Sequence, residues 1–174
     1  DEQDPDMRAR CLELLADSAK AAADKLKFFR LAFGAAGGFG AEVDPAEAKE
    51  AINSLVTGNG RTQLEWMVPA AHLPKGAVKI MLNLIYIANE ALLRGGVVNV
   101  AAERRGGTTE IVVRAEGPRL VMDANIRRAL AGELSPSEID SRTAAAWMVS
   151  NLARQGGGVV QIANDGDNGL IIGA

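Results

Sequence analysis

The sequence has 174 residues, of which 48% are hydrophobic, and a net charge of −3, which suits one sizeable domain with a helical appendage. This slight acidity excludes the basic surface expected of a nucleic-acid-binding protein. No apolar run approaches the roughly 20 residues that span a bilayer, and the start shows no signal-peptide pattern. The single cysteine, Cys11, cannot form an internal disulfide. These features predict a cytoplasmic protein that binds neither nucleic acid nor membrane.

The first predicted element is a helix that starts with Asp4 as N-cap and Pro5 at its first position, and runs to about Phe33. Its apolar residues recur at alternating steps of three and four, in two adjacent stripes. The first stripe comprises Leu12, Leu15, Ala19, Ala22, Leu26, Phe29 and Phe33, and the second comprises Met7, Cys11, Leu14, Ser18 and Ala21. A face this wide favours a helix with two neighbours, as in a four-helix bundle. The alternative is a surface helix packed on its own domain.

A glycine-rich segment follows, at residues 34–40. A phosphate-binding loop is disfavoured there, because no strand precedes the segment and no Lys-Ser/Thr pair follows it. We therefore expect three parts. Residues 1–36 form the second helix of a dimerisation hairpin, residues 37–44 form a linker, and residues 45–174 form a separate domain.

The domain is predicted to begin with a short helix capped by Asp44-Pro45 and reaching Thr57. Hydrophobic periodicity and turn residues then predict the remaining elements in order. These are a strand at 62–68, a helix at 76–93, strands at 97–103 and 109–115, helices at 123–131 and 137–154, and strands at 158–163 and 169–172. The two middle strands turn through residues 104–107. This order predicts an α+β fold, a two-layer sandwich with helices on one face of a mixed sheet.

Three segments carry a resemblance to a known ATP-binding fold. Residues 83–91 (Asn-Leu-Ile-Tyr-Ile-Ala-Asn-Glu-Ala) match a long helix with the motif Asn-x-x-x-Asn-Ala, and residues 112–120 match a strand ending in Asp-x-Gly-x-Gly. Residues 147–162 match a closing helix, Gly-Gly turn and strand. In this order the segments resemble the ATPase domain shared by histidine kinases, gyrase and a class of heat-shock chaperones.

The same motifs are degenerate at the positions where that resemblance implies nucleotide contacts. The five motif positions are occupied by Asn83, Ile87, Ala115, Gly117 and Arg119. Ile87 replaces an Asn that supports magnesium and offers no oxygen ligand. Ala115 replaces the Asp that reads adenine, and Arg119 crowds a position that calls for glycine. No Gly-x-Gly lid lies between residues 120 and 135. We therefore expect a degenerate nucleotide site that binds no ATP, with no cofactor and no metal.

A narrower resemblance covers nearly the whole chain. Residues 12–19, 27–34 and 74–79 resemble the ChpT family of bacterial histidine phosphotransferases. This resemblance implies a homodimer with a central four-helix bundle, two helices from each subunit. It also implies a phosphorelay in which a histidine accepts a phosphoryl group from one response-regulator receiver domain and passes it to another. The degenerate ATPase domain would help to dock the receiver.

The phosphoacceptor histidine of that family lies on the first helix of the hairpin, which we expect upstream of Asp1. The one histidine here, His72, lies in a segment bracketed by Pro69 and Pro74, so an ordinary loop residue is expected there. We find no metal-ligand cluster and no nucleophile–base set, and so predict no catalytic residue within this sequence. The expected receiver-facing or hairpin-facing edge of the first helix comprises Leu14, Ser18, Ala21, Lys25 and Phe28.

Three function classes remain open at this point. The favoured hypothesis is a histidine phosphotransferase in a two-component phosphorelay. The first alternative is a module that binds response regulators without catalysis. The second is an active ATP-dependent histidine or serine kinase, which Ile87, Ala115 and Arg119 oppose.

Overall fold

The computed structural model describes residues 5–34, 41–58, 60–69 and 71–174. The helices are α1 (Pro5–Phe33), α2 (Pro45–Thr57), α3 (Lys75–Ala91), α4 (Ala124–Ala131) and α5 (Ala144–Gln155), with a short 3-10 helix at Pro136–Glu138. The strands are β1 (Glu42–Val43), β2 (Thr62–Met67), β3 (Leu73–Pro74), β4 (Gly96–Arg105), β5 (Thr108–Glu116), β6 (Gln161–Asn164) and β7 (Gly169–Gly173). Both the long first helix and the α+β fold are confirmed.

The main sheet has five strands in the order β2-β4-β5-β7-β6. Strands β2 and β4 are parallel, and the other neighbours are antiparallel. In β4 the side chains of Val98, Val100 and Ala102 are buried, while their neighbours along the strand are more exposed. Since successive strand residues point to opposite faces, the buried series faces the helical layer. The predicted two-layer mixed sandwich is confirmed.

Helix α3 forms the centre of the helical layer. Nearly all of its residues from Ala77 to Ala91 are buried, because it packs on β4 and β5 below and beside α1 and α5. Its apolar residues leave no continuous polar face, which is the pattern of a helix covered on all sides. The degenerate Asn-x-x-x-Asn-Ala motif therefore lies inside the domain core.

The β4–β5 hairpin is tighter than predicted. The strands continue through Arg105 and Thr108, so the turn consists of Gly106 and Gly107 alone. Their φ angles are 55° and 94°, and positive values at both central residues favour glycine in a two-residue hairpin turn.

The predicted helix at 137–154 is wrong in its first part. Ser135 and Glu138 form a reciprocal capping box around the 3-10 turn, and Ile139 is then extended. The carboxylate of Asp140 accepts hydrogen bonds from the backbone N–H groups of Arg142 and Thr143, at 2.9 Å each. Two start signals thus follow one another, and the second delays the α-helix to Ala144.

A small second sheet was not predicted. Strands β1 and β3 pair antiparallel, with Glu42 opposite Pro74 and Val43 opposite Leu73. Residues 41–44, assigned to the linker, therefore form β1 and the N-cap of α2, whereas residues 37–40 and the proposed cap Asp4 lie outside the described residues. The predicted strand at 158–163 begins only at Gln161. Strands β1 and β3 have two residues each, which is too short for hydrophobic periodicity to predict a strand.

Within the described ranges, no helix combines the length and apolar character that a membrane-crossing segment requires.

Candidate functional site

A groove of about 560 Å³ opens beside the C-terminal half of α3. Its walls come from α3, from the last turns of α1, from residues 121–126 and from the turn that precedes α5. The aromatic wall comprises Phe29, Phe33 and Tyr86, and the polar groups at the groove include Glu90, Asp123, Ser141 and Arg142. Its volume lies within the range of small-molecule sites.

Ile87 is the one residue of the five motif positions that lines this groove. Its side chain is 4% exposed and offers no oxygen to a magnesium ion. The nearby carboxylate of Asp123 is engaged, since it accepts hydrogen bonds from the N–H groups of Asn125 (2.7 Å) and Ile126 (3.4 Å) and so caps α4. In the ranges that the structure describes, no group of three or more His, Cys, Asp or Glu residues could hold a metal.

The remnant of the Asp-x-Gly-x-Gly motif is closed by the chain itself. Ala115 is fully buried. A Cβ at Gly117 would lie 2.4 Å from the carbonyl oxygen of Gly95 and 2.8 Å from a methyl group of Leu92. The space beside this glycine is therefore filled by the residues that follow α3, which accounts for a glycine at this position without any ligand.

Backbone pairing covers the end of α3. The N–H of Leu93 donates to the carbonyl of Arg119 at 3.1 Å, and the N–H of Val121 donates to the carbonyl of Ala91 at 2.9 Å. Arg119 is exposed at this junction. The segment that follows the motif thus lies on α3, and the stretch between residues 120 and 135 forms α4 rather than a Gly-x-Gly lid, as predicted.

Asn83 lies elsewhere. Its side chain is fully buried and does not line the groove. Its amide nitrogen donates to the carbonyl oxygens of Lys79, at 2.8 Å, and Ala32, at 3.1 Å. The structure therefore separates the five predicted motif residues. Asn83 contacts the end of α1, Ala115 and Gly117 lie in the packed interior, Arg119 is exposed, and Ile87 alone lines the groove.

The predicted edge of α1 is exposed over most of its length. Leu14, Ser18, Ala21 and Lys25 are exposed, and Leu14 keeps 67% of its surface. The fifth residue, Phe28, is 0% exposed, so its assignment to this edge is wrong. Its ring packs against Tyr86 with centroids 5.9 Å apart, because the last turns of α1 fold onto α3.

An apolar surface remains uncovered along the rest of α1. Its large members are Met7, Leu12, Leu14, Leu15 and Leu26, which keep between 48% and 71% of their surface. Single exposed apolar side chains are common, but a row of them along one helix marks an interaction surface. The two predicted stripes are thus available for a partner.

His72 is an exposed residue immediately before β3 and lies in no helix. The sequence placed it correctly in a loop.

The aromatic wall of the groove was missed. Phe29 and Phe33 were assigned to the bundle seam alone, yet their rings lie 5.8 Å apart beside Phe28 and close the groove from the α1 side. Burial and the charge of Glu90 raise the pKa of Tyr86, the third residue of this wall. The spacing of four residues between Phe29 and Phe33 was visible in the sequence. Their position beside α3, more than 50 residues later in the chain, was not.

Comparison with known proteins gives a consistent result. The model of the histidine phosphotransferase C-terminal domain matches residues 45–168. The protein phosphotransferase ChpT of Brucella abortus (strain 2308) is 28% identical over 151 residues, which are 87% of this chain and 72% of that protein. A bacterial phosphotransferase structure superimposes with a TM-score of 0.80 at 25% identity, covering 95% of this chain and 78% of the other.

Sensor kinases share the fold at greater distance. The histidine kinase AdeS of Acinetobacter baumannii has a TM-score of 0.55 at 11% identity, with 98% of this chain and 83% of that chain covered. Full-length ShkA in complex with AMPPNP also gives 0.55, at 22% identity, with 88% and 34% covered. These likenesses concern the fold alone. The family match spans most of the domain that carries the degenerate motifs, and this chain belongs to the histidine phosphotransferase family.

Proposed function

We propose that this protein relays a phosphoryl group between response-regulator receiver domains, through a histidine and without ATP. The observation that carries the proposal is membership of a phosphotransferase family, together with a degenerate motif in which the chain's own residues fill the space beside Gly117. We also propose that it acts in the cytoplasm.

The proposal that ATP is not used rests on three local features. Ile87 supplies no metal ligand, and the buried Ala115 supplies no acceptor for an adenine amino group. Residues 119–121 hydrogen-bond to the end of α3. A site that lacks the polar group that selects its ligand binds that ligand less tightly. The loss is about 3 kcal/mol of binding free energy for one buried hydrogen bond to a charged group.

We propose that the phosphoaccepting histidine precedes Asp1, on a helix that pairs with α1 as a hairpin. The uncovered apolar surface of α1 supports this arrangement, because an apolar surface along an exposed helix favours a helical neighbour. Two hairpins would then form a four-helix bundle in a homodimer. His72 is not a candidate acceptor in this proposal, since it lies in a loop before β3 and not on a helix.

The transfer chemistry needs no nucleotide. The imidazole nitrogen attacks the phosphorus of the aspartyl phosphate, a P–N bond forms, and the P–O bond breaks to leave the receiver carboxylate. The reverse reaction with a second receiver returns the histidine to its free form. The proposed receiver-facing edge of α1 consists of Leu14, Ser18, Ala21 and Lys25. The ammonium group of Lys25 is complementary in charge to the acidic surroundings of a receiver aspartate.

The test is phosphoryl transfer from a 32P-labelled receiver domain to the full-length protein without ATP, beside a parallel reaction that contains γ-32P-labelled ATP and no receiver. We expect acid-labile label on the protein, then on a second receiver, and no change when His72 is replaced by Ala. Binding of the receiver without transfer would support the regulator-binding module instead. Label acquired from ATP and not from the receiver would support an active kinase, and either result contradicts the proposal.

A further inference from the structure

Asn83 is a buried polar side chain in the most apolar helix of the protein. It lies in the middle of α3 with 0% exposure. Its amide nitrogen donates both to Lys79, one turn earlier in the same helix, and to Ala32 in another helix, 51 positions away in the sequence. The second bond is a directional contact between α1 and α3.

The acceptor belongs to the end of α1. The last four carbonyl groups of a helix have no partner within that helix. The N–H of Gly34 takes the carbonyl of Arg30 at 3.0 Å, and Asn83 takes the carbonyl of Ala32. Asn83 therefore caps α1 from the neighbouring helix.

Stability alone does not account for an asparagine at this position. Its Oδ1 atom is buried and has no hydrogen-bond partner, which is unfavourable in a core. A leucine of similar size would leave no unpaired amide oxygen. Buried asparagines in helical assemblies are known to fix the register between helices at a cost in stability.

Two other kinds of contact at this junction constrain direction less. Phe28 and Leu31 pack by apolar contact, which is not directional. The ion pair between Lys27 and Glu50 joins α1 to α2, but the carboxylate side chain is 74% exposed, and exposed pairs hold geometry weakly.

We propose that Asn83 is a positioning residue that fixes the register and direction of α1 relative to the C-terminal domain. It thereby sets where the proposed receiver-facing edge of α1 stands beside that domain. The effect of Asn83 on the relay rests on the proposed function. The placement of α1 relative to the C-terminal domain matters for transfer when one receiver contacts both α1 and that domain.

The structural test uses spin labels at Lys20→Cys and Glu110→Cys, two exposed positions on α1 and β5, in a Cys11→Ser background. Labelled full-length chains are diluted with unlabelled chains, so that distances within one subunit are measured. The variant is Asn83→Leu, with Asn83→Ala as a second variant that adds no bulk. The matched control is Asn151→Leu, because the amide of Asn151 donates to Trp147 within its own helix, at 2.9 Å.

We expect both Asn83 variants to melt cooperatively with unchanged helix content and a broader or displaced label-to-label distance, and Asn151→Leu to match the parent protein. We also expect receiver affinity to fall about three- to tenfold in the Asn83 variants, through loss of preorganisation. An unchanged distance distribution in both folded variants overturns the inference. If the parent protein binds no receiver, the proposed function fails, while the distance measurement still decides the role of Asn83.

Discussion

Helices α1 and α3 are both rich in apolar residues, yet they differ in how much of that surface the chain covers. Helix α3 buries residues on all sides from Ala77 to Ala91, whereas α1 buries only Phe28, Leu31 and Ala32 in its last turns. Helix α3 completes a core, whereas α1 leaves most of its apolar surface uncovered. The difference separates stability, which resides in the domain, from the partner contact that we propose for α1.

The largest expected effect concerns the point where α1 enters the core. Phe28→Ala should lower the free energy of unfolding by about 3–5 kcal/mol, because it removes a fully buried aromatic ring and leaves a cavity. Urea denaturation followed by circular dichroism measures the change. The matched control is Phe29→Ala, whose ring is 49% exposed and should cost less than half as much. Equal losses of unfolding free energy at Phe28 and Phe29 would contradict the distinction between buried and exposed residues of α1.

The next effect concerns the uncovered stripe. Leu15→Asp should weaken dimer formation by at least about tenfold, because it places a charge on an apolar surface that we propose to be shared between helices. Sedimentation of the full-length protein over a concentration series measures the change. The control is Asp17→Asn, which should leave the assembly intact. Asp17 lies outside the two apolar stripes, on the charged side of α1 that also carries Lys20 and is called the solvated face. If the Leu15→Asp variant forms dimers as the parent protein does, the proposed four-helix bundle is contradicted.

A smaller effect is expected at the proposed receiver edge. Lys25→Glu should slow transfer from a phosphorylated receiver by about three- to tenfold, because the reversed charge repels the acidic face of the receiver. Lys20→Glu makes the same charge change on the solvated face of α1 and controls for long-range electrostatics. Phosphoryl-transfer reactions quenched at successive times give both rates. Equal slowing by the two variants would mean that no specific contact involves Lys25.

The smallest effect lies in the domain, at the 3-10 turn that precedes α5. Hydrogen bonds from the backbone and hydroxyl of Ser135, with that from Arg128, lower the pKa of Glu138 to about 2. A lowered folded-state pKa means that the carboxylate stabilises the turn at neutral pH. This stabilisation is lost as the pH falls from about 4.5 toward 2. Glu138→Gln should therefore flatten the dependence of melting temperature on pH in that window, and an unchanged slope would exclude this role.

Local signals in the sequence were sufficient for elements with a single start and stop. Asp44-Pro45 and Thr57 bound α2 as predicted, because the carboxylate of Asp44 caps the helix through the N–H of Ala46. The start of α5 was misplaced because Ser135 and Asp140 carry competing capping signals only five residues apart. Propensity cannot decide between two adequate caps without the tertiary packing.

The site was less predictable than the fold. The substitutions at Ile87, Ala115 and Arg119 could be read directly from the motifs. The contacts of Phe28 and Asn83 could not, because each depends on α1 folding back onto a helix about 50 positions later. Heptad spacing shows which residues share a face of a helix, but it does not show which neighbour covers that face.

We propose that a histidine-kinase-like fold serves phosphotransfer here without a nucleotide. Calorimetric titration of the full-length protein with ATP in the presence of Mg²⁺ is a direct test of this proposal. We expect no saturable binding up to millimolar ATP, with or without magnesium. Saturable, magnesium-dependent binding at micromolar ATP would contradict it, because neither Ile87 nor the closed backbone at Gly117 could then stand as described.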